Sequence, residues 1–289
     1  MNVIILIPVF NDFKSVSKLI EDIDINILEL DASFSVIIVN DASTEEKDLN
    51  IKNLKKIKSL KIINMRKNKG HARCIAAGLK YIAENETFDY VIPMDGDGED
   101  RPEEIQNFVD KIKDNPNRTI VGERVKRSES TIFKICYFLH KIITLTFTGQ
   151  FIKFGNYTCL TKETVKKLIE EKATWSSFSG ALTKTHNNLI KSPSIRGSRY
   201  FGPSKMSFFN LIMHSLAIIA VFKTGVIFRS IAFYAIYLII IADYISIITA
   251  IPLALIIIFG LVILKISGRE NMNEFNNSLT NIHNIEKVK

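Results

Sequence analysis

The sequence predicts an α/β protein with a mostly parallel sheet, followed by a transmembrane helical hairpin. Short apolar runs at residues 3–9 and 35–39 each end in polar residues, which is typical of buried parallel strands. Apolar residues at helical spacing lie between the two runs, so this region predicts a βαβ unit. The apolar stretch from residue 226 to residue 264 is long enough for two membrane spans.

The remaining elements of the first domain continue the alternation of strands and helices. Residues 12–30 form the first predicted helix, and residues 60–64 form a third strand. A second helix is predicted at residues 71–85, and a fourth strand at residues 90–94. At 289 residues, the chain has room for this one sizeable domain, at residues 1–200, and an appendage.

Charge and cysteine content restrict the partners and the compartment. The formal net charge of +8 indicates an anionic partner, which charge alone does not identify. The three cysteines, Cys74, Cys136 and Cys159, show no CxxC pair and no metal-ligand spacing, which favours a reducing compartment. The N-terminal sequence has no basic region and no cleavage site of a signal peptide, so we expect residues 1–200 to stay in the cytoplasm.

The membrane segments are predicted from apolar length and flanking charge. The apolar residues 225–265 form two spans with a turn at Ala242-Asp243-Tyr244, and Lys and Arg on both sides place both ends in the cytoplasm. An alternative places Asp243 inside the bilayer as a functional carboxylate. Residues 266–289 are polar and rich in Asn, and they are predicted to be a flexible cytoplasmic tail.

Two shorter apolar segments are predicted to lie at the membrane surface. Residues 131–148 carry a broad apolar face with interspersed Lys and His, as expected of an interfacial helix, although an ordinary core helix is the alternative. Residues 208–222, within a juxtamembrane segment at 201–224, are apolar but short for a span. The sequence leaves open whether they lie at the interface or form a third span.

Polar clusters follow the predicted strands and mark a site. Because the carboxyl ends of parallel strands meet at one edge of a sheet, we expect these clusters to converge there. They are Asn11-Asp12, Asn40-Asp41-Ala42-Ser43, Asn68-Lys69-Gly70 and Asp95-Gly96-Asp97.

The segment from Asp95 to Glu103 carries the most specific chemistry. Asp95 and Asp97 are separated by one residue at a strand end, so both carboxylates can reach one hard cation, and Glu99 follows two residues later. Oxygen ligands from so few residues leave coordination positions of Mg²⁺ or Mn²⁺ for a diphosphate. The alternative is an acidic loop that binds no metal.

These motifs resemble those of glycosyltransferase family 2, which has the GT-A fold, and within it the transferases that act on polyprenyl phosphates. The resemblance covers roughly residues 2–265. The motifs that carry it are Ile7-Pro8-Val9-Phe10-Asn11-Asp12, Val39-Asn40-Asp41-Ala42-Ser43, Asn68-Lys69-Gly70-His71 with Gly78, Asp95 to Glu103, Gly122-Glu123-Arg124, and Gly202-Pro203-Ser204-Lys205.

The resemblance implies a role for each matching position. Residues implied to bind the donor nucleotide are Pro8, Asn11, Asp12, Asp41 and Asp95. Residues implied to hold a divalent metal are Asp95, Asp97 and Glu99. The family often has Gln in place of Glu99, and it commonly has Glu in place of the donor-binding Asp12. Residues implied to grip a lipid phosphate are Arg124, Arg127, Arg199 and Lys205, with Asp97, Arg124 and Arg127 acting in catalysis.

The resulting hypothesis is an enzyme that moves a hexose from a nucleotide sugar to a polyprenyl phosphate, with inversion, at the cytoplasmic membrane face. Two alternatives remain, namely transfer to a hydroxyl of a lipid-linked glycan and a non-catalytic membrane scaffold. Nucleic acid fits poorly, because basic and aromatic residues interleave only sporadically. The sequence leaves open whether the chain forms a homo-oligomer.

Overall fold

The computed structural model describes the chain except for residues 48, 50, 52, 127–130 and 204–206, and it describes residues 126 and 131–137 by their backbone alone. Within these residues, eight strands form one mixed sheet in the order β7-β5-β6-β4-β1-β2-β3-β8. The strands are β1 (Asn2–Val9), β2 (Ser33–Asn40), β3 (Ile57–Met65), β4 (Tyr90–Pro93), β5 (Ile120–Lys126), β6 (Thr158–Thr161), β7 (Ile190–Ile195) and β8 (Ile282–Lys287).

Ten α-helices cover the sheet or extend beyond it in the described part of the chain. The helices are α1 (Phe13–Asn26), α2 (His71–Asn85), α3 (Ile105–Asp114), α4 (Thr131–Thr148), α5 (Lys162–Glu170), α6 (Phe178–Thr185), α7 (Phe208–Ala220), α8 (Lys223–Ile241), α9 (Ile247–Ser267) and α10 (Met272–Asn276).

The central sheet buries apolar side chains on both faces. In β1, Ile5 and Ile7 belong to the core on the α1 side, whereas Ile4 and Leu6 belong to the core on the α2 side. This follows from the two-residue period of a strand, which sends successive side chains to opposite faces. A strand buried on both faces therefore appears in the sequence as a continuous apolar run.

The predicted parallel arrangement is confirmed for the four central strands. β1 pairs in parallel with β2 and β4, and β2 pairs in parallel with β3. β6 and β8 are antiparallel additions. The predicted bounds of α2 agree with the structure, but Arg124 lies inside β5 rather than after the end of that strand.

The C-terminal apolar region forms two helices of 19 and 21 residues, α8 and α9, which are long and apolar enough to cross a membrane. Most of their side chains are exposed, as Ile239 at 78% and Ile247 at 88% illustrate, so they are unlike the buried core helices of this chain. Asp243 lies in the exposed turn between them, where the sequence placed the turn. A proline inside α9, Pro252, is compatible with a membrane helix.

The prediction of a flexible tail is wrong, because the residues after α9 fold back onto the sheet. The strand β8 pairs antiparallel with β3, and Ile285 lies opposite Ile63. The side-chain amide of Asn64 donates to the side chains of Asn284, at 2.8 Å, and Glu286, at 2.7 Å. In α10, Phe275 is fully buried and stacks on Trp175 with 5.3 Å between the ring centres. Strand pairing, a polar ladder and a buried aromatic side chain therefore hold this segment.

Candidate active site

The loop after β1 is fixed to the loop after β2 by Asn11. Its backbone adopts the left-handed conformation, with φ of 52°, which Asn tolerates better than most residues. The side-chain oxygen of Asn11 accepts a hydrogen bond from the backbone N–H of Thr44 at 2.8 Å, and the backbone N–H of Asn11 donates to the Ser43 hydroxyl at 2.9 Å. Asn11 thus shapes the edge of the site. Pro8 lies earlier in the same motif and is buried within β1.

Asp41 organises the loop that precedes α2. Its carboxylate accepts hydrogen bonds from the backbone amides of Lys69, at 2.9 Å, and Gly70, at 2.8 Å. Burial raises the pKa of Asp41, and these two backbone donors partly offset the rise. Gly70 has φ of 92°, a conformation that favours glycine. The Asn68-Lys69-Gly70 motif and Asp41 therefore form one unit at the carboxyl ends of β2 and β3.

Asp95 lies directly beyond β4 and is surrounded by partners from distant parts of the chain. Its Oδ1 atom is 3.1 Å from the amide nitrogen of Asn156 and 3.2 Å from Nε2 of His71. Burial alone would raise the pKa of Asp95, but the charge and hydrogen bond of His71, helped by Arg196, lower it far below its usual range. Asp95 is thus an ionised carboxylate at the centre of the site.

Two arginines of the segment after β7 hold the other carboxylates of this loop. Arg199 lies 2.5 Å from Asp97 and 2.8 Å from Asp12, so it bridges the loops after β1 and β4. Arg196 forms an ion pair with Glu99. Arg196 and Arg199 thus lie where the sequence predicted contacts with a metal and a donor, and their positive charges neutralise the carboxylates there.

Backbone contacts attach the same segment to the acidic loop. The amide of Gly197 donates to the carbonyl of Glu99 at 2.8 Å, and the amide of Tyr200 donates to the carbonyl of Asp97 at 2.9 Å. Gly98, which lies between Asp97 and Glu99, has φ of 85°, and a Cβ atom there would collide with the ring of Tyr200. Residues 197–200 therefore cover the acidic loop closely enough to require glycine beneath them.

Two carboxyls near Asp95 have a raised pKa, in contrast to Asp95 itself. Burial and the nearby charge of Asp95 raise the pKa of Asp97 to about 6. Burial and the same charge raise the pKa of Asp100 to about 7, and Asp100 also accepts a hydrogen bond from the Asp95 amide at 2.9 Å. Such a cluster of oxygen donors suits Mg²⁺ or Mn²⁺, because a divalent cation would remove the mutual repulsion.

The predicted metal ligands fit a cation in their chemistry but are engaged with arginines in this arrangement. Among the described residues, no three Asp, Glu, His or Cys side chains are grouped closely enough to hold a metal ion. For metal binding, Asp97 and Glu99 would have to exchange Arg199 and Arg196 for the ion. The set Asp95, Asp97 and Glu99 therefore stays a prediction.

The predicted phosphate-binding residues are only partly described by the structure. Arg127 and Lys205 lie outside the described residues. The guanidinium of Arg124 lies directly over Gly155, where a Cβ atom would come within 2.5 Å of it, and its charge lowers the pKa of Asp100. Arg124 thus faces the acidic loop. Arg199 contacts Asp97 and Asp12.

Sequence reasoning missed Asn156, Arg196 and Asp100 as members of the site. Asn156 contacts Asp95 from 61 positions away, and no local pattern indicates such a contact. Arg196 lies three residues before Arg199, so its closeness in the sequence to a predicted site residue could have indicated its role. Asp100 belonged to the recognised acidic segment.

A sheet with parallel central strands, whose carboxyl ends carry an acidic Asp-x-Asp loop beside a loop held by Asp41, defines the GT-A class of transferase fold. The chain belongs to glycosyl transferase family 2, since the model of that family matches residues 4–164, more than half of its length. The family resemblance drawn from the motifs is thereby confirmed.

Relatives match more than half of this chain at low identity. An undecaprenyl-phosphate 4-deoxy-4-formamido-L-arabinose transferase of Klebsiella pneumoniae is 24% identical over 216 residues, which are 72% of this chain and 63% of that protein. The chain thus spans less than two thirds of the length of that relative. An uncharacterised protein of Methanocaldococcus jannaschii is 26% identical over 162 residues, 54% of this chain and 68% of that protein.

Solved structures confirm the fold. Glucosyl-3-phosphoglycerate synthase of Mycobacterium tuberculosis, solved with Mn²⁺, UDP and phosphoglyceric acid, superimposes with a TM-score of 0.57 at 11% identity. The match covers 78% of this chain and 78% of that one. At this identity, the likeness concerns the fold.

Proposed function

We propose that this chain transfers a hexose from a nucleotide-sugar donor to a polyprenyl phosphate at the cytoplasmic face of a membrane. Family membership supports glycosyl transfer, and the Klebsiella pneumoniae relative is named for action on undecaprenyl phosphate. The two exposed apolar helices, α8 and α9, support a membrane location. Lys223 and Arg229 near the start of α8, and Lys265 near the end of α9, support cytoplasmic ends.

The observation that carries the proposal is the position of α7, an apolar helix that lies close enough to the site for its charges to act on His214. His214 of α7 has its pKa lowered to about 4, first by burial and then by the nearby charges of His71 and Arg124. The same helix exposes Phe208 at 62% and Phe209 at 67%. The same helix thus lies within electrostatic range of the site at His214 and presents aromatic side chains at its start, as expected where a lipid-borne phosphate meets a soluble donor.

The interface helix α4 supports the same arrangement. It exposes apolar side chains, among them Phe138 at 60% and Leu139 at 51%, which disfavours the alternative of a core helix. The guanidinium of Arg229, in α8, donates to the carbonyls of Leu145 and Thr146 at 3.3 Å, so it satisfies the C-terminal end of α4. At 13 residues, α7 extends about 20 Å and is too short for a span, so we assign it to the interface.

The chemistry requires positioning more than proton transfer. A lipid phosphate has a second pKa of about 6, so it is largely ionised at neutral pH and can attack the anomeric carbon without a general base. An oxygen of the phosphate forms the new bond to that carbon, and the bond to the nucleoside diphosphate breaks, with inversion. Arg124, together with Arg127, would hold the acceptor phosphate through bidentate hydrogen bonds.

A divalent metal fits the donor side of the proposal. Asp95 and Asp97, with Glu99, would hold it, and Mn²⁺ and UDP are present together in the structure of the Mycobacterium tuberculosis enzyme. When bound, such an ion supplies positive charge that stabilises the leaving diphosphate. The chain's own residues orient the donor, through Asp41 and its loop, and exclude water, through the segment 197–200.

A donor panel tests the proposal. Purified full-length protein in lipid is incubated with Mn²⁺, a short polyprenyl phosphate and one of GDP-mannose, UDP-glucose, UDP-galactose or a UDP-N-acetylhexosamine. We expect a lipid-linked sugar phosphate from at least one donor, and none from the Asp97→Asn variant. Transfer only to a lipid-linked glycan would establish the hydroxyl-acceptor alternative. Neither transfer nor hydrolysis with any donor would favour a non-catalytic scaffold.

A further inference from the structure

A cavity of about 370 Å³ lies beside the loop that Asp41 holds before α2, at the carboxyl ends of β2 and β3. One side is formed by Asp41, Met65 and the cations that follow β3, and the other side is formed by the segment after α9. The lining includes Lys69, Arg73, Trp175, Glu274 and Asn277.

The segment after α9 supplies five of the residues that line the cavity, all between positions 274 and 281. Two hydrogen bonds of Asn281 hold this segment in place. The amide of Arg66 donates to the carbonyl of Asn281 at 2.7 Å, and the side chain of Asn281 donates to the carbonyl of Lys67 at 3.0 Å. This wall lies outside residues 4–164, which the family model matches.

Glu274 is the central polar group of this wall. One carboxylate oxygen lies 2.8 Å from Nζ of Lys69, and the other accepts a hydrogen bond from the indole N–H of Trp175 at 2.9 Å. Arg73 is 3.7 Å away, and its Nε atom is buried with no hydrogen-bond partner among the described residues. These neighbours lower the pKa of Glu274, first of all the hydrogen bond from Lys69, so it stays ionised and able to accept.

The distance between the cavity and the acidic loop after β4 suits the distance between the base and the phosphates of a nucleoside diphosphate. The acidic loop follows β4, and the cavity follows β2 and β3, two to three strands away in the order β4-β1-β2-β3. At ~4.8 Å between neighbouring strands, the separation is roughly 10–15 Å. A nucleoside diphosphate whose phosphates lie at Asp95 and Asp97 would therefore place its base toward the cavity.

We propose that the segment after α9 is a wall of the nucleoside-base pocket, and that Glu274 accepts hydrogen bonds from the donor's heterocyclic base. This inference rests on the proposed use of a nucleotide sugar and names residues that select its nucleotide. A heterocyclic base has ring N–H groups that can donate hydrogen bonds to an ionised carboxylate. The indole of Trp175 and the guanidinium of Arg73 lie beside the carboxylate of Glu274.

The first test compares two carboxylates of the same segment. Glu274→Gln keeps the shape of the side chain and removes its charge, and Glu286→Gln does the same at a carboxylate paired with Lys47, at 2.6 Å, outside this cavity. Binding of UDP, GDP and inorganic pyrophosphate to the full chain is measured calorimetrically with Mg²⁺. We expect Glu274→Gln to raise the Kd of the preferred nucleotide about tenfold, the loss of roughly one charge-assisted hydrogen bond, while Glu286→Gln changes it by less than about twofold.

Pyrophosphate separates recognition of a base from recognition of a phosphate. Glu274→Gln should leave pyrophosphate affinity unchanged if the cavity takes the base. Equal weakening of pyrophosphate and nucleotide, or an unchanged nucleotide Kd, would overturn the inference while the proposed transferase function stands. If the unmodified chain bound neither UDP nor GDP, the proposed function would fail together with the inference.

The second test does not depend on the structural role of Glu274. A cysteine introduced as Asn277→Cys lies in the cavity wall, and one introduced as Lys287→Cys lies on β8 outside it. We expect the preferred nucleotide to slow maleimide labelling at position 277 severalfold, with labelling at position 287 unchanged and pyrophosphate without effect at either. Equal labelling rates at position 277 with and without nucleotide would overturn the assignment.

Discussion

The guanidinium of Arg199 lies 2.5 Å from the carboxylate of Asp97. This contact joins a residue predicted to grip the acceptor phosphate to a residue predicted to hold the metal. Because Arg199 also contacts Asp12 at 2.8 Å, it neutralises two carboxylates in this arrangement. If Asp97 is a metal ligand as predicted, an incoming cation would have to compete with Arg199 for it.

Removal of Arg199 tests both roles at once. We expect Arg199→Ala to raise the KM for polyprenyl phosphate about tenfold, because a charge-assisted contact is lost, and to tighten Mn²⁺ binding, because Asp97 loses its competing cation. Initial rates against acceptor concentration and a Mn²⁺ titration measure the two effects. Tighter Mn²⁺ binding with an unchanged acceptor KM would restrict Arg199 to the role of a counter-ion.

Loss of one Asp97 charge should abolish transfer without unfolding the domain. Asp97→Asn keeps the shape of the side chain but removes a proposed metal ligand, so we expect activity to fall at least ~100-fold. Asp110→Asn, at an exposed position on α3, is the matched control and should keep full activity. Full activity of the Asp97 variant in EDTA would contradict metal dependence. Circular dichroism checks that both variants are folded.

The basic residues near β5 should act on the acceptor and not on the donor. Arg124→Ala is expected to raise the KM for the lipid phosphate or lower kcat, while nucleotide binding stays nearly unchanged. Arg124→Lys should restore only part of the loss, since a point charge lacks the bidentate fork. The same pair of changes at Arg127 tests the second predicted position. Weaker nucleotide binding with an intact acceptor KM would assign these cations to the donor diphosphate.

The topology of the hairpin can be tested by labelling in intact cells. A cysteine at position 243, in the turn between α8 and α9, should react with an impermeant reagent added from outside. One at position 287, which is exposed on β8, should react only after permeabilisation. External labelling at position 287 would indicate an odd number of spans.

Asp24 should be the most sensitive carboxylate for stability outside the site. It is buried and accepts backbone hydrogen bonds from Lys55, Lys56 and Ile57 at 2.7, 2.9 and 2.8 Å. Asp24→Ala leaves three donors without their acceptor, so we expect a loss of about 3 kcal/mol in the free energy of unfolding. A thermal melt measures it, with the exposed Asp31→Ala as control. Equal melting temperatures would show that water replaces the carboxylate.

The sequence was most informative where the cause of structure is local. The strands and α2 follow from apolar periodicity, and the site follows from polar residues at strand ends, which a parallel sheet brings to one edge. Pairing across long separations has no local signal. Arg199 reaches Asp12 across 187 positions, and Asn64 reaches Glu286 across 222. The segment after α9 was missed for the same reason, since its polar composition becomes a strand only beside β3.

The two strands that flank the membrane region, β7 and β8, form opposite edges of the sheet. The hairpin is therefore an insertion between two outer strands of the catalytic domain. During synthesis, the outer edge of β3 has no neighbour until both spans have left the ribosome, because β8 follows them in the chain. The sheet is therefore completed only after the apolar hairpin has been synthesised, and until then β3 keeps an open edge of the kind that promotes aggregation.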